Sequence, residues 1–117
     1  PILPFINDTE ENLRGILDYC VRAEVKGILS FGFGVTLREG DREYFYAALE
    51  RDFPGVKQQY IRAFGNAYSC NSPNNAILMR VFKEECKRNG ILYKTDEVFG
   101  YLGTFETKEK QLSLFEE

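Results

Sequence analysis

Pro1-Ile-Leu-Pro-Phe-Ile-Asn-Asp-Thr9 opens the chain with a short apolar run of strand character that stops at a polar Asn-Asp-Thr turn. The residues after it have helical form. Leu13, Ile16, Leu17, Cys20 and Val21 recur at the spacing that buries one helix face, and Asp8 followed by Glu11 has the pattern of a capping box. A helix is therefore predicted from Glu10 to about Arg22. Gly27-Ile-Leu-Ser-Phe-Gly-Phe33 is a second, nearly unbroken apolar run, which suits a strand covered on both faces. Joined by a right-handed crossover, the two strands would be parallel neighbours. Two such strands alone leave N–H and C=O groups unpaired on both outer edges, so the unit reads as part of something larger. Those edges are expected to pair with another copy of the chain or to be covered by its own segment 91–105.

Outward from this unit, Gly32 and Gly34 alternate with Phe31 and Phe33 at the carboxyl end of the second strand, where parallel sheets place ligands. The pair lacks the third glycine of a dinucleotide loop, and a plain turn explains it as well as a phosphate site. Asp41 can cap a helix to about Phe53 with Phe45, Ala48, Leu49 and Phe53 inward, and Pro54-Gly55 stops it. A shorter helix, Val56 to about Phe64, shares Val56, Tyr60, Ile61 and Phe64 on one face. The stretch 65–75 is dense in turn formers, and Ser72-Pro73 signals a helix to about Asn89 that buries Ile77, Leu78, Val81, Phe82 and Cys86. Gly90 closes it, with Ile91 folding back on the last turn. The aromatic, glycine-dotted segment 91–105 is compatible with a packed strand, a turn or a short helix over 96–102.

The outer side of the 73–89 helix carries Arg80, Lys83, Lys87 and Arg88, a set able to track a phosphate backbone or simply to keep a helix face wet. The net charge of −3 speaks against the whole chain acting as a basic nucleic-acid module. With no histidine, the usual serine and cysteine triads and histidine-rich zinc sites are excluded. Cys20, Cys70 and Cys86 lack the spacing for zinc or an iron–sulfur cluster and read as buried thiols. Asp8, Glu10, Glu11, Glu39, Asp41 and Glu43 gather near the strand ends, where caps and solvated first turns account for them as readily as acid–base chemistry. The chain has no signal-peptide pattern and no apolar run long enough to span a bilayer, so a cytoplasmic location without membrane contact is expected.

Three blocks resemble a known family. Pro1-Ile-Leu-Pro-Phe-Ile-Asn-Asp-Thr-Glu-Glu11 is similar to the late barrel strand and turn of radical S-adenosylmethionine proteins, often Pro-x-Ile-Pro-Gly-x-Asn-Asp-x-Glu. Phe31-Gly-Phe-Gly-Val-Thr-Leu-Arg-Glu-Gly40 and Phe64-Gly-Asn-Ala-Tyr-Ser-Cys-Asn-Ser-Pro73 resemble the carboxyl-terminal part of the branch related to spore photoproduct lyase, the DNA repair photolyase-like proteins. The resemblance implies an α/β fold: the last two strand–helix units of an incomplete (β/α)6 barrel over 1–53, a helical appendage over 54–105 and a tail over 106–117. In that family a 4Fe-4S cluster held by Cys-x-x-x-Cys-x-x-Cys cleaves S-adenosylmethionine to a radical. This chain lacks that motif, which the resemblance puts upstream of Pro1, so it would bind no cluster and be inactive alone, with no catalytic or metal-ligating residue of its own. What the resemblance carries over is a wall of the cofactor site, with Leu3, Pro4 and Phe5 near the adenine and Asn7 and Asp8 shaping the turn. Phe5 stands where the family usually has Gly.

The end of the chain adds a separate likeness. Gln111-Leu-Ser-Leu-Phe115 follows the polar spacer Thr107-Lys-Glu-Lys110 and matches the peptide by which bacterial DNA-processing proteins dock on the sliding clamp of the replicative polymerase. At average residue frequencies such a match arises by chance in fewer than about one in a thousand chains of this size. It implies apolar pockets for Leu112, Leu114 and Phe115 and an orienting hydrogen bond from Gln111, with Ser113 within the same clamp-binding segment. Two classes of function follow: a piece of a radical enzyme acting on DNA, or a non-catalytic module that binds DNA and the clamp.

Overall fold

The computed structural model describes residues 1–104. In chain order these form α1 (Glu10–Arg22), β1 (Gly34–Thr36), α2 (Asp41–Asp52), α3 (Val56–Phe64), β2 (Ser69–Asn71), α4 (Asn75–Arg88) and a last helical stretch, α5, over 95–104.

The opening run is a turn and not a strand. Pro4, which has no N–H to give a sheet, sits where Leu3 O accepts from both Ile6 N and Asn7 N at 3.2 Å. The polar residues then lock the bend. Asn7 Oδ1 accepts from Leu3 N at 2.5 Å, its Nδ2 donates to Pro1 O at 3.0 Å, and Asp8 Oδ1 accepts from Phe5 N at 3.1 Å. These side chains offer the backbone partners that a neighbouring strand would otherwise supply. Asp8 is thereby unavailable to cap α1. Thr9 takes that place in extended conformation, its Oγ1 accepting from Asn12 N at 3.1 Å.

The second expected strand is likewise displaced. Within 27–33 there is a single parallel bridge, Gly27 to Leu92, with Ile28 N donating to Leu92 O at 2.9 Å and Leu92 N to Lys26 O at 3.0 Å. Of the segment expected to cover this edge, Leu92 reaches it, at Gly27. The regular sheet of the described residues lies further on and is antiparallel: Gly34 faces Asn71, Val35 faces Cys70 and Thr36 faces Ser69. The pairing continues past the strands through Leu37 N to Tyr68 O and Ser72 N to Phe33 O, both 2.8 Å. Gly34 is required there, because a Cβ on it would come within 2.4 Å of Cys70 O and 2.8 Å of Asn71 Cα.

Two hydrophobic clusters form the core, and Phe33, Val35, Leu37 and Cys70 along the sheet contribute to one or the other. In the first, Leu13 and Leu17 of α1 meet Leu78, Val81, Phe82 and Cys86 of α4, with Phe33 and Ile91 completing the cluster. In the second, Leu49 of α2 and Tyr60 of α3 pack against Leu37 and Cys70, and Phe5, Ile6, Phe45, Tyr46 and Phe64 close around them. Both cores draw residues from either side of position 53, so residues 1–53 and the described residues beyond them share their interiors. The opening turn serves both, with Ile2 on the first core and Phe5 and Ile6 on the second. Four residues expected on the inner helix faces are outward instead: Ile16, Phe53, Ile61 and Ile77 are each nearly half exposed.

Candidate functional site

The residues singled out in the opening turn sit at a junction of three segments. Asp8, 6% exposed, accepts from Ser72 Oγ at 2.5 Å through Oδ2, while its backbone carbonyl accepts from Asn74 Nδ2 at 3.0 Å. Ser72 Oγ in turn accepts from Asn74 N at 3.0 Å, and Ser72 O accepts from Asn75 N at 3.0 Å. Asn75 Oδ1 accepts from Phe33 N at 2.6 Å. Residues 1–9, 30–34 and 72–75 are thus joined by side-chain hydrogen bonds, most of them to backbone groups. Buried polar groups need such partners, and here each carboxylate oxygen of Asp8 has one.

This arrangement limits what the turn can offer a ligand. Asn7 and Asp8 are engaged in holding the bend, Pro4 is buried, and Phe5 packs on Tyr60 and Phe64 with ring centroids 5.6 and 6.0 Å away. Leu3 remains half buried. With Pro4 and Asp8 buried and the Asn7 and Asp8 side chains bonded within the bend, what the turn presents outward is the part-buried apolar surface of Leu3 and Phe5, and not a set of charged ligands.

The basic set divides. Arg80, Lys83 and Lys87 are exposed on α4. Arg88 is held by Glu85, its Nη2 lying 2.5 Å from Oε2. Glu85 also takes Arg14 of α1 at 2.9 Å, and Arg14 reaches Glu10 at 2.9 Å. Arg88 therefore belongs to a surface ion-pair chain tying α4 to α1, and three of the four cations remain for an external phosphate.

Beneath the sheet lies a second polar feature. Tyr60 is fully buried, and its hydroxyl, like that of Tyr46 and like Arg42 Nε, has no protein partner among the described residues. Burial raises the Tyr60 hydroxyl well above the ordinary tyrosine value, reinforced by Cys70, Asp8 and Tyr46. Burial also raises the Cys70 thiol, although Arg42 opposes it. Arg42 itself fastens the loops, its Nη2 donating to Leu37 O and Asn66 O at 2.9 Å. These thiol and phenol groups are protonated and shielded, which suits packing and not nucleophilic attack. Burial likewise pushes the Cys86 thiol up to about 11, with Cys20 and Glu85 adding to the effect. Among the described residues no three His, Cys, Asp or Glu side chains come together as a metal site, and no helix is long and apolar enough to cross a membrane.

Two open grooves flank segment 28–31, in which Leu29 and Phe31 are exposed. One, of about 330 Å³, is apolar and lies between that segment and α1, lined by Ile16, Cys20, Leu29 and Phe33. The other, of about 500 Å³, lies between Phe31, α4 and the start of α5. Sequence reasoning passed over the second groove because Phe31 and Tyr93 read as strand or core residues. The Ser72 and Asn75 bonds were equally invisible, since a partner tens of residues away leaves no periodic trace. Residues 111–115 lie outside the described residues. Comparison with family models, with curated proteins and with solved structures gave no match.

Proposed function

We propose that the chain is the carboxyl-terminal part of a bacterial radical S-adenosylmethionine protein acting on DNA, with the cluster-binding cysteines and the radical chemistry supplied upstream. The observation that carries the reading is Phe5. It has φ 64°, a left-handed conformation that side chains other than glycine rarely adopt, at the position where the resembled pattern has Gly. A further support is that the three resembling blocks, 1–11, 31–40 and 64–73, meet through the Asp8–Ser72 and Ser72–Phe33 hydrogen bonds. On this reading the fragment extends an incomplete barrel, and its open 28–31 edge faces the missing strands. The chemistry an upstream cluster would supply is one-electron cleavage of the S–C5′ bond of S-adenosylmethionine, with methionine leaving. Leu3, Pro4 and Phe5 would form part of the wall near the adenine, and Asn7 and Asp8 would keep that wall in place. The test is made on the intact parent protein purified without oxygen, by iron and sulfide content and electron paramagnetic resonance after reduction. A cluster signal that changes on adding S-adenosylmethionine supports the proposal; no iron in intact material overturns it.

The Gln111–Phe115 match favours a second reading, in which the chain is a binding module recruited to DNA by the sliding clamp and Arg80, Lys83 and Lys87 contact the nucleic acid while Arg88 stays with Glu85. The two readings separate on deletion of 111–115 from the parent: S-adenosylmethionine cleavage survives under the first, and the principal function is lost under the second.

A further inference from the structure

The groove between the 30–31 segment, α4 and the start of α5 has a composition unlike the rest of this acidic chain. Its walls are Ser30, Phe31, Met79, Phe82, Lys83, Tyr93, Lys94 and Thr95. Two lysines line it and no carboxylate does, although the chain holds 18 acidic residues against 15 basic ones. Among the described residues neither Lys83 nor Lys94 has an ion-pair partner. Phe31 stands 81% exposed at the rim, and Tyr93 is half buried with its ring 6.5 Å from Phe82. An aromatic face left in water beside unpaired cations is the pairing of features that holds a base and its phosphate in single-strand binding sites.

We infer that this groove binds single-stranded nucleic acid, with one base against Phe31 and Tyr93 and the adjoining phosphates on Lys83 and Lys94. The strand then continues along α4. The helical rise places Lys87 about 6 Å beyond Lys83 and Arg80 about 4.5 Å before it, spacings that successive phosphates of a flexible strand can follow. A duplex fits poorly, since its bases are stacked on one another and cannot reach Phe31. The inference shares a nucleic-acid partner with the proposed function and deepens its second reading, with which it has Arg80, Lys83 and Lys87 in common. Iron content of the parent tests the first reading, and oligonucleotide binding by this chain tests the inference.

The experiment is fluorescence anisotropy of a labelled oligothymidylate with the full 117-residue chain, over a range of salt concentrations. Phe31→Ala should weaken binding about tenfold, the scale of one lost base–aromatic stack. Its thermal melt should not move, because the ring is exposed. The Lys83→Ala/Lys94→Ala double variant should reduce the slope of log K against log salt by about 1.4, or about 0.7 for each single-strand phosphate released. A duplex of the same length should bind more weakly than the single strand. Absence of binding, equal affinity for duplex, or binding indifferent to Phe31→Ala and to the double variant would each overturn the inference. So would self-association of the chain that Phe31→Ala abolishes, which would assign the exposed 29–31 edge to a second copy.

Discussion

The Ser72 hydroxyl donates to the Asp8 carboxylate at 2.5 Å across 64 residues of chain, in the buried space where the opening turn meets the start of α4. A charge-assisted bond in a buried site contributes more than a surface pair, and its loss strands a carboxylate oxygen. Ser72→Ala should therefore lower unfolding free energy by about 2 kcal/mol. In a double-mutant cycle with Asp8→Asn, urea denaturation should give a coupling of at least about 1 kcal/mol. Additive losses would mean that each side chain acts through its backbone contacts alone.

Gly34 has no room for a side chain. A Cβ would meet Cys70 O at 2.4 Å, and that atom is sheet backbone that cannot rotate away. Gly34→Ala is expected to be destabilising by about 3 kcal/mol, read as a fall in the urea midpoint. Gly100→Ala, where nothing lies within 4 Å of the new Cβ, should be neutral or slightly stabilising. Equal behaviour of the two variants would dispose of the close-approach argument.

How far the sequence could be read depended on the range of the interactions. Helix α1 follows its apolar periodicity and the polar turn before it, and α3 lies between Gly55 and Gly65, because those signals are local. The first nine residues misled for a related reason. Ile2, Leu3, Phe5 and Ile6 have strand composition, but they are distributed between two cores by a bend that Pro4, Asn7 and Asp8 enforce. The true strands, Gly34–Thr36 and Ser69–Asn71, are three residues each, too short for alternation to betray them. At the candidate sites, the pairing of Arg88 with Glu85 is local and could have been foreseen from their i, i+3 spacing. The recruitment of Arg14 to the same glutamate, 71 residues away, required the α1–α4 packing.

Tyr60 offers a test of buried polarity. Its ring packs edge-on against Phe5, Phe45 and Phe64, while its hydroxyl has no protein partner among the described residues. Tyr60→Phe removes an unsatisfied polar atom at constant shape and should leave stability unchanged or raise it by up to about 1 kcal/mol. Tyr60→Ala should be destabilising by about 4 kcal/mol. A loss above 1 kcal/mol for the phenylalanine variant would reveal a bound water or other partner at that hydroxyl.

Alkaline pH should weaken the fold. Burial raises Cys86 from 9.0 to about 11, so the folded state retains a proton that the unfolded chain releases. Stability is then full below pH 9, falls as pH rises from 9 to 11 and levels off for this group beyond it, a loss on the order of 2 kcal/mol. Tyr60, shifted in the same direction from 10.0, extends the decline above pH 10. Urea melts from pH 7 to 11 should follow this course, and Cys86→Ala should flatten the segment from 9 to 11 relative to its own neutral-pH value. A slope unchanged by Cys86→Ala would locate the alkaline sensitivity elsewhere.

The Gln111–Phe115 match makes the last prediction, and it concerns a partner. Three apolar anchors spaced as Leu-x-Leu-Phe suit a pocketed surface, and among short peptide anchors the aromatic residue carries a large share of the binding energy. The full chain and a peptide spanning 106–117 should both bind purified bacterial sliding clamp in a titration calorimeter. Phe115→Ala should lower affinity at least about thirtyfold, and Gln111→Ala by a smaller factor. If the peptide binds and the full chain does not, the tail is engaged by the body of the protein, and the apolar residues 112, 114 and 115 serve packing. If neither binds, or if binding ignores Phe115→Ala, the clamp reading is removed, and any DNA contact must rest on α4 and the Phe31 groove.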